Sequence, residues 1–212
     1  MILSSCPPGA QIGDVYIPSP LCAFNAAQIQ KIIVQRKYST GVTRNTLTYA
    51  NAALLASWTT FLTSTSSTKV QVSPELANPS LEPGDVEEYG SGNEVPDGVP
   101  IITGEGPSNF SATFLQAHPA SITSMRAWQS EDLSVWFINQ HGQIICDSDS
   151  AQSPTNVYGV KVRSMFVGSR AFGGHTEPDK NSLRLMLPAG WDRNLVIVTP
   201  TDFNALIDLS GS

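Results

Sequence analysis

The sequence predicts a mainly β fold of the α+β class, a sandwich or barrel of about nine strands with two helices and a long acidic loop. Short segments rich in β-branched or alternating apolar residues recur along the chain, and only two segments repeat apolar residues at helical spacing. Hydrophobic residues are 41% of the 212 residues, which suffices for the core of one domain. Charged residues are only 14%, against about 25% in ordinary globular domains. A surface of neutral polar residues suits an all-β structural protein, or one largely covered by partners.

Strands are predicted from composition and alternation in most of the chain. The strand at 133–139 is the most informative, because Leu133 and Val135 alternate with Trp136 and Ile138, so both of its faces are apolar. Such a strand is central in a sheet or lies under a helix. A turn at 140–142 then returns the chain in a hairpin. The other predicted strands are 30–38, 68–74, 98–105, 108–116, 157–169, 182–187 and 194–200.

The two helices are predicted at 51–62 and 118–132. The first begins at Asn51 as a possible N-cap, and its apolar stripe is Leu54, Leu55, Trp58, Phe61 and Leu62. The second has Pro119 in its first turn. No internal repeat is present, so we expect one domain with an extended N-terminal segment, about 1–27, and a long loop, about 73–108.

Charge is segregated along the chain. Between Asp14 and Glu75 there are five basic residues and no acid, and between Lys69 and Arg126 there are eight acids and no base. We name as the basic block Lys31, Arg36, Lys37 and Arg44. We name as the acidic loop residues Glu82, Asp85, Glu87, Glu88, Glu94 and Asp97. Opposite fields of this kind attract each other, either within one chain or between copies of it.

Catalytic and cofactor chemistry finds little support. His175 could join Glu177 and Asp179 at a metal, but no second His or Cys completes the set, and His118 and His141 read as a helix cap and a turn residue. Cys6, Cys22 and Cys146 form no paired motif and are expected to be reduced. No nucleotide-binding loop or serine nucleophile motif is present. We therefore expect no enzyme, no cofactor and no metal, although calcium binding by the acidic loop stays open.

The net charge of −6 argues against a general nucleic-acid binder. No apolar run is long enough to span a membrane, so no membrane partner is expected. The first residues lack the basic and apolar regions of a signal peptide, so we expect the chain to fold in a cytoplasm.

The order of several landmarks resembles a virion structural protein of tailed bacteriophages, of the kind found in phages of Bacteroidetes hosts. The landmarks are "CPPGAQIGDVYI", "QIQKIIVQRKYSTG", the acidic "SLEPGDVEEYGSGNEVPDGVPIITG", "FSATFLQAHPASITSMRAWQSEDLSVWFINQHGQII" and "LPAGWDRNLVIVTPTDFNAL". They cover most of the chain, and none of them is a catalytic motif. Within that class the chain is most similar to a tail tube protein.

This resemblance implies a β-sandwich or barrel with a flanking helix and a long loop, whose copies close hexameric rings that stack head to tail. It further implies localisation in the virion, contacts with other virion proteins, and a channel through which DNA passes without specific binding. The acidic loop would then contact the basic block of another copy. Alternatives are a head–tail connector, neck or capsid-decoration protein. An alternative from another class is a carbohydrate-binding module using Trp58, Trp128, Trp136 and Trp191.

Overall fold

A computed structural model describes residue 26 and residues 28–90, 94–95 and 98–209. The chain divides into two compact units, one of Met1–Asn25 with Val86–Gly104 and a larger one of Ala26–Asp85 with Glu105–Ser212. The predicted β-rich α+β class is confirmed. The described strands are more numerous than predicted, because the strand predicted at 157–169 is interrupted and because short strands also form where none is predicted.

The described strands, in chain order, are β1 (Ile29–Arg36), β2 (Tyr38–Thr40), β3 (Thr43–Arg44), β4 (Leu47–Thr48), β5 (Val70–Val72), β6 (Ala77–Glu82), β7 (Val86–Tyr89), β8 (Ile101–Glu105), β9 (Ser108–Leu115), β10 (Leu133–Asn139), β11 (Ile144–Ser148), β12 (Asn156–Tyr158), β13 (Val160–Lys161), β14 (Ser164–Ala171), β15 (Lys180–Leu187) and β16 (Leu195–Val198). The described helices are α1 (Tyr49–Ala52), α2 (Leu55–Thr63) and α3 (Pro119–Ala127), and α3 continues into a 3₁₀ turn at Trp128–Ser130.

Two antiparallel sheets form the larger unit. The first sheet has the order β4-β12-β11-β10-β1-β5, with β13 also paired to β10 and β16 to β11. The second sheet has the order β14-β15-β9-β6. Two short ribbons are separate from these sheets, β2 with β3 in the larger unit and β7 with β8.

The first sheet buries apolar side chains on both faces, as the pattern at 133–139 predicts. All seven residues of β10 are buried. Val135 and Phe137 belong to a core that the first sheet shares with the second sheet and α3. Trp136 and Ile138 belong to a core on the opposite face, shared with α1, α2 and the C-terminal turn. β10 is therefore a central strand between two hydrophobic layers.

A pair of tryptophans anchors the second of these cores. The rings of Trp58 on α2 and Trp136 on β10 are 5.1 Å apart and nearly perpendicular. The Trp58 indole N–H donates to the Ala52 carbonyl at 2.9 Å, so its polar edge is satisfied although the residue is fully buried. An edge-to-face pair of this kind contributes about 0.5–1.5 kcal/mol beyond area burial.

The predicted helix at 51–62 is two helices, and its predicted N-cap is wrong. Thr48 caps α1 by accepting from the Asn51 N–H at 3.3 Å. The chain is extended at Leu54, and α2 starts at Leu55, whose N–H donates to the Asp202 carboxylate at 3.0 Å. A cap supplied from 147 residues away cannot be read from local spacing.

The predicted strand at 157–169 is divided among β12, β13 and β14, because the chain changes sheets. The Val162 N–H donates to Leu133 of the first sheet at 3.1 Å, and the Arg163 N–H donates to Met186 of the second sheet at 2.7 Å. Side-chain alternation continues through this point, with Val160 and Val162 buried. The alternation therefore predicts the buried residues correctly but gives no sign that the chain changes sheets.

The segment predicted as a long loop at about 73–108 contains β6, β7 and β8, of which β8 overlaps the strand predicted at 98–105. β6 pairs with β9 at the edge of the second sheet, and β7 and β8 form a hairpin. β6 carries Asn78 with φ of 50° and Pro79, which lie at a register shift. Such residues are depleted in strands and are tolerated at a sheet edge, which explains why the pattern reads as a loop.

Candidate functional site

Three residues of the basic block form ion pairs within the chain, with acids outside the acidic loop. The Arg36 guanidinium binds Glu131 through two hydrogen bonds, of which Nη2–Oε1 is 2.8 Å. Arg44 contacts the Asp147 carboxylate at 2.8 Å, and its guanidinium group lies over the Tyr158 ring. The contact of Lys37 with Asp132 is longer, at 3.4 Å.

These acidic partners were not singled out from the sequence. The ladder places Arg36 opposite Leu133 because β1 and β10 are antiparallel, so the residues just after β1 meet the residues just before β10. A signal was present in the sequence, since an adjacent basic pair at 36–37 is matched by an adjacent acidic pair at 131–132. Recognising it requires knowing that these two strands are neighbours.

The Arg36–Glu131 pair perturbs both of its members. Hydrogen bonding to Arg36 lowers the pKa of Glu131, against a smaller opposing effect of partial burial. Hydrogen bonding to Glu131 in turn raises the pKa of Arg36. The Arg36 side chain is 56% exposed, so solvent screens this pair and it contributes little to stability.

Lys31 is placed differently from the rest of the basic block. Its ammonium group donates to the Leu206 carbonyl at 2.6 Å, in the C-terminal turn. Lys69, the fifth cation of the basic segment, is exposed. In the part of the chain that the structure describes, neither lysine forms an ion pair with an acid, so both retain uncompensated charge.

The described acids of the acidic loop are all exposed. Glu82 ends β6, Asp85 lies in the turn after it, Glu87 and Glu88 lie on β7, and Glu94 follows the hairpin strand. Asp97 lies outside the described residues. Among the residues described, Glu82, Asp85, Glu87 and Glu88 have no ion-pair partner. Contact between the acidic loop and the basic block of another copy stays a prediction.

The β7–β8 hairpin also exposes large apolar side chains. Five of them are between 53% and 71% exposed, and we call these the apolar hairpin residues: Val86, Tyr89, Val99, Ile101 and Ile102. Ile101 and Ile102 are adjacent in a strand, so they lie on opposite faces of the ribbon. A two-stranded hairpin with apolar residues on both faces has too little burial to be stable in water alone.

The edges of the second sheet are covered or interrupted, in contrast to the hairpin. At β14, Arg126 donates to the Gly168 carbonyl at 2.8 Å and Gln129 to the Val167 carbonyl at 3.4 Å. At β6, the other edge, Pro79 and the irregular pairing at Asn78 disturb the ladder. Native sheets use such features to prevent edge-to-edge association.

The histidines and the described cysteine occupy structural positions. His118 caps α3 by accepting from the Ala120 N–H at 3.2 Å, and His175 is exposed in a turn. Glu177 and Asp179 form ion pairs with Lys180 and Arg170. Cys146 is fully buried, and that burial raises the pKa of its thiol far above the ordinary value. Within the described ranges, no three His, Cys, Asp or Glu side chains are grouped as metal ligands.

No described helix is long and apolar enough to cross a membrane.

Two of the four tryptophans considered for carbohydrate binding are core residues. Trp58 and Trp136 have no exposed surface. Trp128 and Trp191 are partly buried against the core between the sheets. The side chains of Trp58 and Trp136 therefore offer no surface to a carbohydrate.

The sequence matches no protein-family model and no curated protein. Among solved structures, the chain is similar to one from the virion of a native gene transfer agent particle. The identity is 11%, the TM-score is 0.35, and the match covers 60% of this chain and 88% of the other. A similarity at this level does not establish a common fold.

Proposed function

We propose that this protein is a structural subunit of a phage-like virion, and more specifically a tail tube protein whose copies assemble into stacked rings. The observation that carries the proposal is the β7–β8 hairpin, which leaves the apolar hairpin residues exposed. Large apolar side chains exposed together in one short segment are typical of an interaction site. The hairpin lies in the segment that the sequence predicts to contact another copy.

The larger unit suits such a role. Its two antiparallel sheets share a core with α3, and the resemblance to tail tube proteins implies a β-rich domain with a flanking helix. The edges of its second sheet are covered or interrupted, which disfavours association by extension of that sheet. We further propose that the role is non-catalytic and that other virion proteins bind at the ends of the assembly.

The charge of the protein supports a channel that does not retain DNA. Three residues of the basic block, Arg36, Lys37 and Arg44, are engaged by acids of the same chain. With a net charge of −6, the subunit offers few free cations to phosphates. We expect no measurable binding of duplex DNA at physiological salt, in a fluorescence anisotropy titration.

The proposal is tested by concentrating the purified chain and following light scattering together with negative-stain electron microscopy. We expect hollow tubes or stacked rings. A variant with Ile101→Ser and Ile102→Ser should remain folded by circular dichroism and stay monomeric. The matched control is Val42→Ser, which changes a residue that is 91% exposed in the larger unit and should assemble normally.

Two results would contradict the proposal. One is a monodisperse monomer at every concentration and salt condition. The other is assembly that proceeds equally well in the hairpin variant and in the Val42 control.

A further inference from the structure

Two adjoining clefts run beside β5 and α3 in the larger unit. One has a volume of about 460 Å³ and the other about 250 Å³, and Gln71 and Trp128 line both. We call the two together the β5–α3 groove. The length of the groove can be estimated from β1. Lys31 of β1 lines one end and Arg36 lines the other. A separation of five residues along a strand corresponds to about 17 Å.

The walls of the groove leave room for a polypeptide backbone. The α3 wall consists of small side chains, Ala120, Ser121 and Ser124. The opposite wall is β5 with the residues that follow it. Trp128 contributes apolar surface at the base, where an incoming segment could bury its own apolar side chains.

Charge distinguishes this groove from the rest of the larger unit. Three cations line it, Lys31, Arg36 and Lys69, against a single acid, Glu131. Arg36 is neutralised by Glu131. Lys69 precedes Val70, which pairs with Gln35, so it lies at the Arg36 end, opposite to Lys31. Among the described residues these two lysines have no acidic partner, so each end of the groove carries an uncompensated positive charge.

We propose that the β5–α3 groove is the docking site for the β7–β8 hairpin of a second copy. This inference rests on the proposed function and specifies the surface that the hairpin contacts. The hairpin is opposite in charge to the groove, because β7 carries Glu87 and Glu88 and neither has an ion-pair partner among the described residues. It is complementary in length, since the five residues of β8 also span about 17 Å.

The contact is heterologous, because the donor hairpin and the acceptor groove are different surfaces of one chain. Repetition of such a contact closes rings or extends filaments, and it does not stop at a two-fold dimer. The apolar hairpin residues would supply most of the affinity, while Lys31 and Lys69 would orient the hairpin and accelerate its association.

Disulfide trapping tests the docking site in the full chain. Both partners carry Cys6→Ser and Cys22→Ser, and Cys146 is retained because it is buried. One partner carries Ser124→Cys in the groove. The other carries Ile102→Cys or Thr103→Cys, which are adjacent in β8 and lie on opposite faces of the hairpin. After mixing and mild oxidation, we expect a covalent pair of unlike chains on a non-reducing gel.

The control partner replaces the groove cysteine with Lys161→Cys, an exposed position on β13 that does not line the groove. We expect no covalent pair with it. If rings or tubes form but the hairpin cysteines couple to position 161 and not to position 124, the docking site is wrong and the proposed function survives. If no mixture scatters light or couples, the proposed function and the docking site both fail.

Charge reversal gives an independent readout. Lys69→Glu should slow assembly on the order of 10-fold at low salt, because electrostatic steering is lost, and the difference should shrink as salt is added. Adding Glu87→Lys in the same chain should restore most of the rate. Lys161→Glu makes the same change in net charge and should leave the rate unaltered. Equal effects of Lys69→Glu and Lys161→Glu would overturn the docking site.

Discussion

The β1–β10 strand pair and the β7–β8 hairpin are both antiparallel ladders, but they differ in how their side chains are satisfied. In the first pair, apolar residues are buried on both faces, and the charges at its end form ion pairs with each other. In the hairpin, apolar residues are exposed on both faces, and Glu87 and Glu88 lack ion-pair partners within the described residues. Strand formation alone therefore does not indicate whether a segment has its partners within its own chain.

The difference explains why we assign stability to one region and assembly to the other. Buried apolar surface provides the main favourable free energy of folding. Exposed apolar surface provides the same free energy only when a partner covers it. On this interpretation, substitutions in the two regions should affect different measurements, and matched pairs of substitutions can separate them.

The largest expected contrast is between two isoleucines. Ile138→Ala removes a fully buried side chain, and we expect it to lower the free energy of unfolding by about 2–5 kcal/mol. Ile102→Ala changes a residue that is 71% exposed, so the shift in unfolding free energy should stay within about 0.5 kcal/mol. Urea denaturation followed by tryptophan fluorescence measures both.

The same two variants should differ in the opposite sense in assembly. Ile102→Ala should raise the concentration at which scattering appears, although its fold is intact. Comparable losses of folding stability in the two variants would show that the hairpin is part of the folding unit, and the distinction between the regions would fail.

A smaller contrast comes from two glycines. A Cβ at Gly159 would lie 2.7 Å from the Ser134 hydroxyl oxygen and 3.0 Å from the Trp136 indole nitrogen. We expect Gly159→Ala to cost about 1–3 kcal/mol through overpacking. A Cβ at Gly104 in the hairpin would meet Glu87 at an ordinary 3.4 Å, so Gly104→Ala should be neutral or slightly stabilising. Thermal unfolding of the two variants compares them, and equal destabilisation would contradict the open packing of the hairpin.

The sequence predicts the fold where side-chain pattern decides it and fails where distant contacts decide it. The two apolar faces at 133–139 correctly placed β10 at the centre. The break between α1 and α2 depends on Asp202, and the break at Val162 depends on which sheet each neighbouring N–H meets. Neither leaves a local signal.

The candidate site shows the same limit. The described acids of the acidic loop are exposed, as many turn residues and the lack of bases at 82–97 would suggest. The sequence does not predict the partners of Arg36 and Lys37, because Glu131 and Asp132 are 95 residues away and meet them only through strand pairing. Segregation of charge along a chain is thus weak evidence about pairing in space. Only the structure shows that Lys31 and Lys69 have no acidic partner among the described residues.

The smallest expected effect concerns the end of the β1–β10 pair. The folded-state pKa of Glu131 is lowered by Arg36, so the pair stabilises the protein above the unfolded-state pKa, about 4.3 for a glutamate. That contribution should disappear as the pH falls through the lowered folded-state pKa. Since both side chains are partly exposed, the change should be below about 1 kcal/mol. Unfolding free energies between pH 6 and about pH 3 should fall less steeply in Glu131→Gln than in the wild type.

Arg36→Gln provides the control for that measurement. It removes the partner and leaves the carboxyl, so it should flatten the pH dependence as Glu131→Gln does, and the double variant should flatten it no further. Moderate salt should reduce the difference in all three comparisons, because an exposed pair is screened. If Glu131→Gln flattens the profile and Arg36→Gln does not, another group sets the pKa of Glu131, and the ion pair at the end of β1 would not be the complete pairing that distinguishes this ladder from the hairpin.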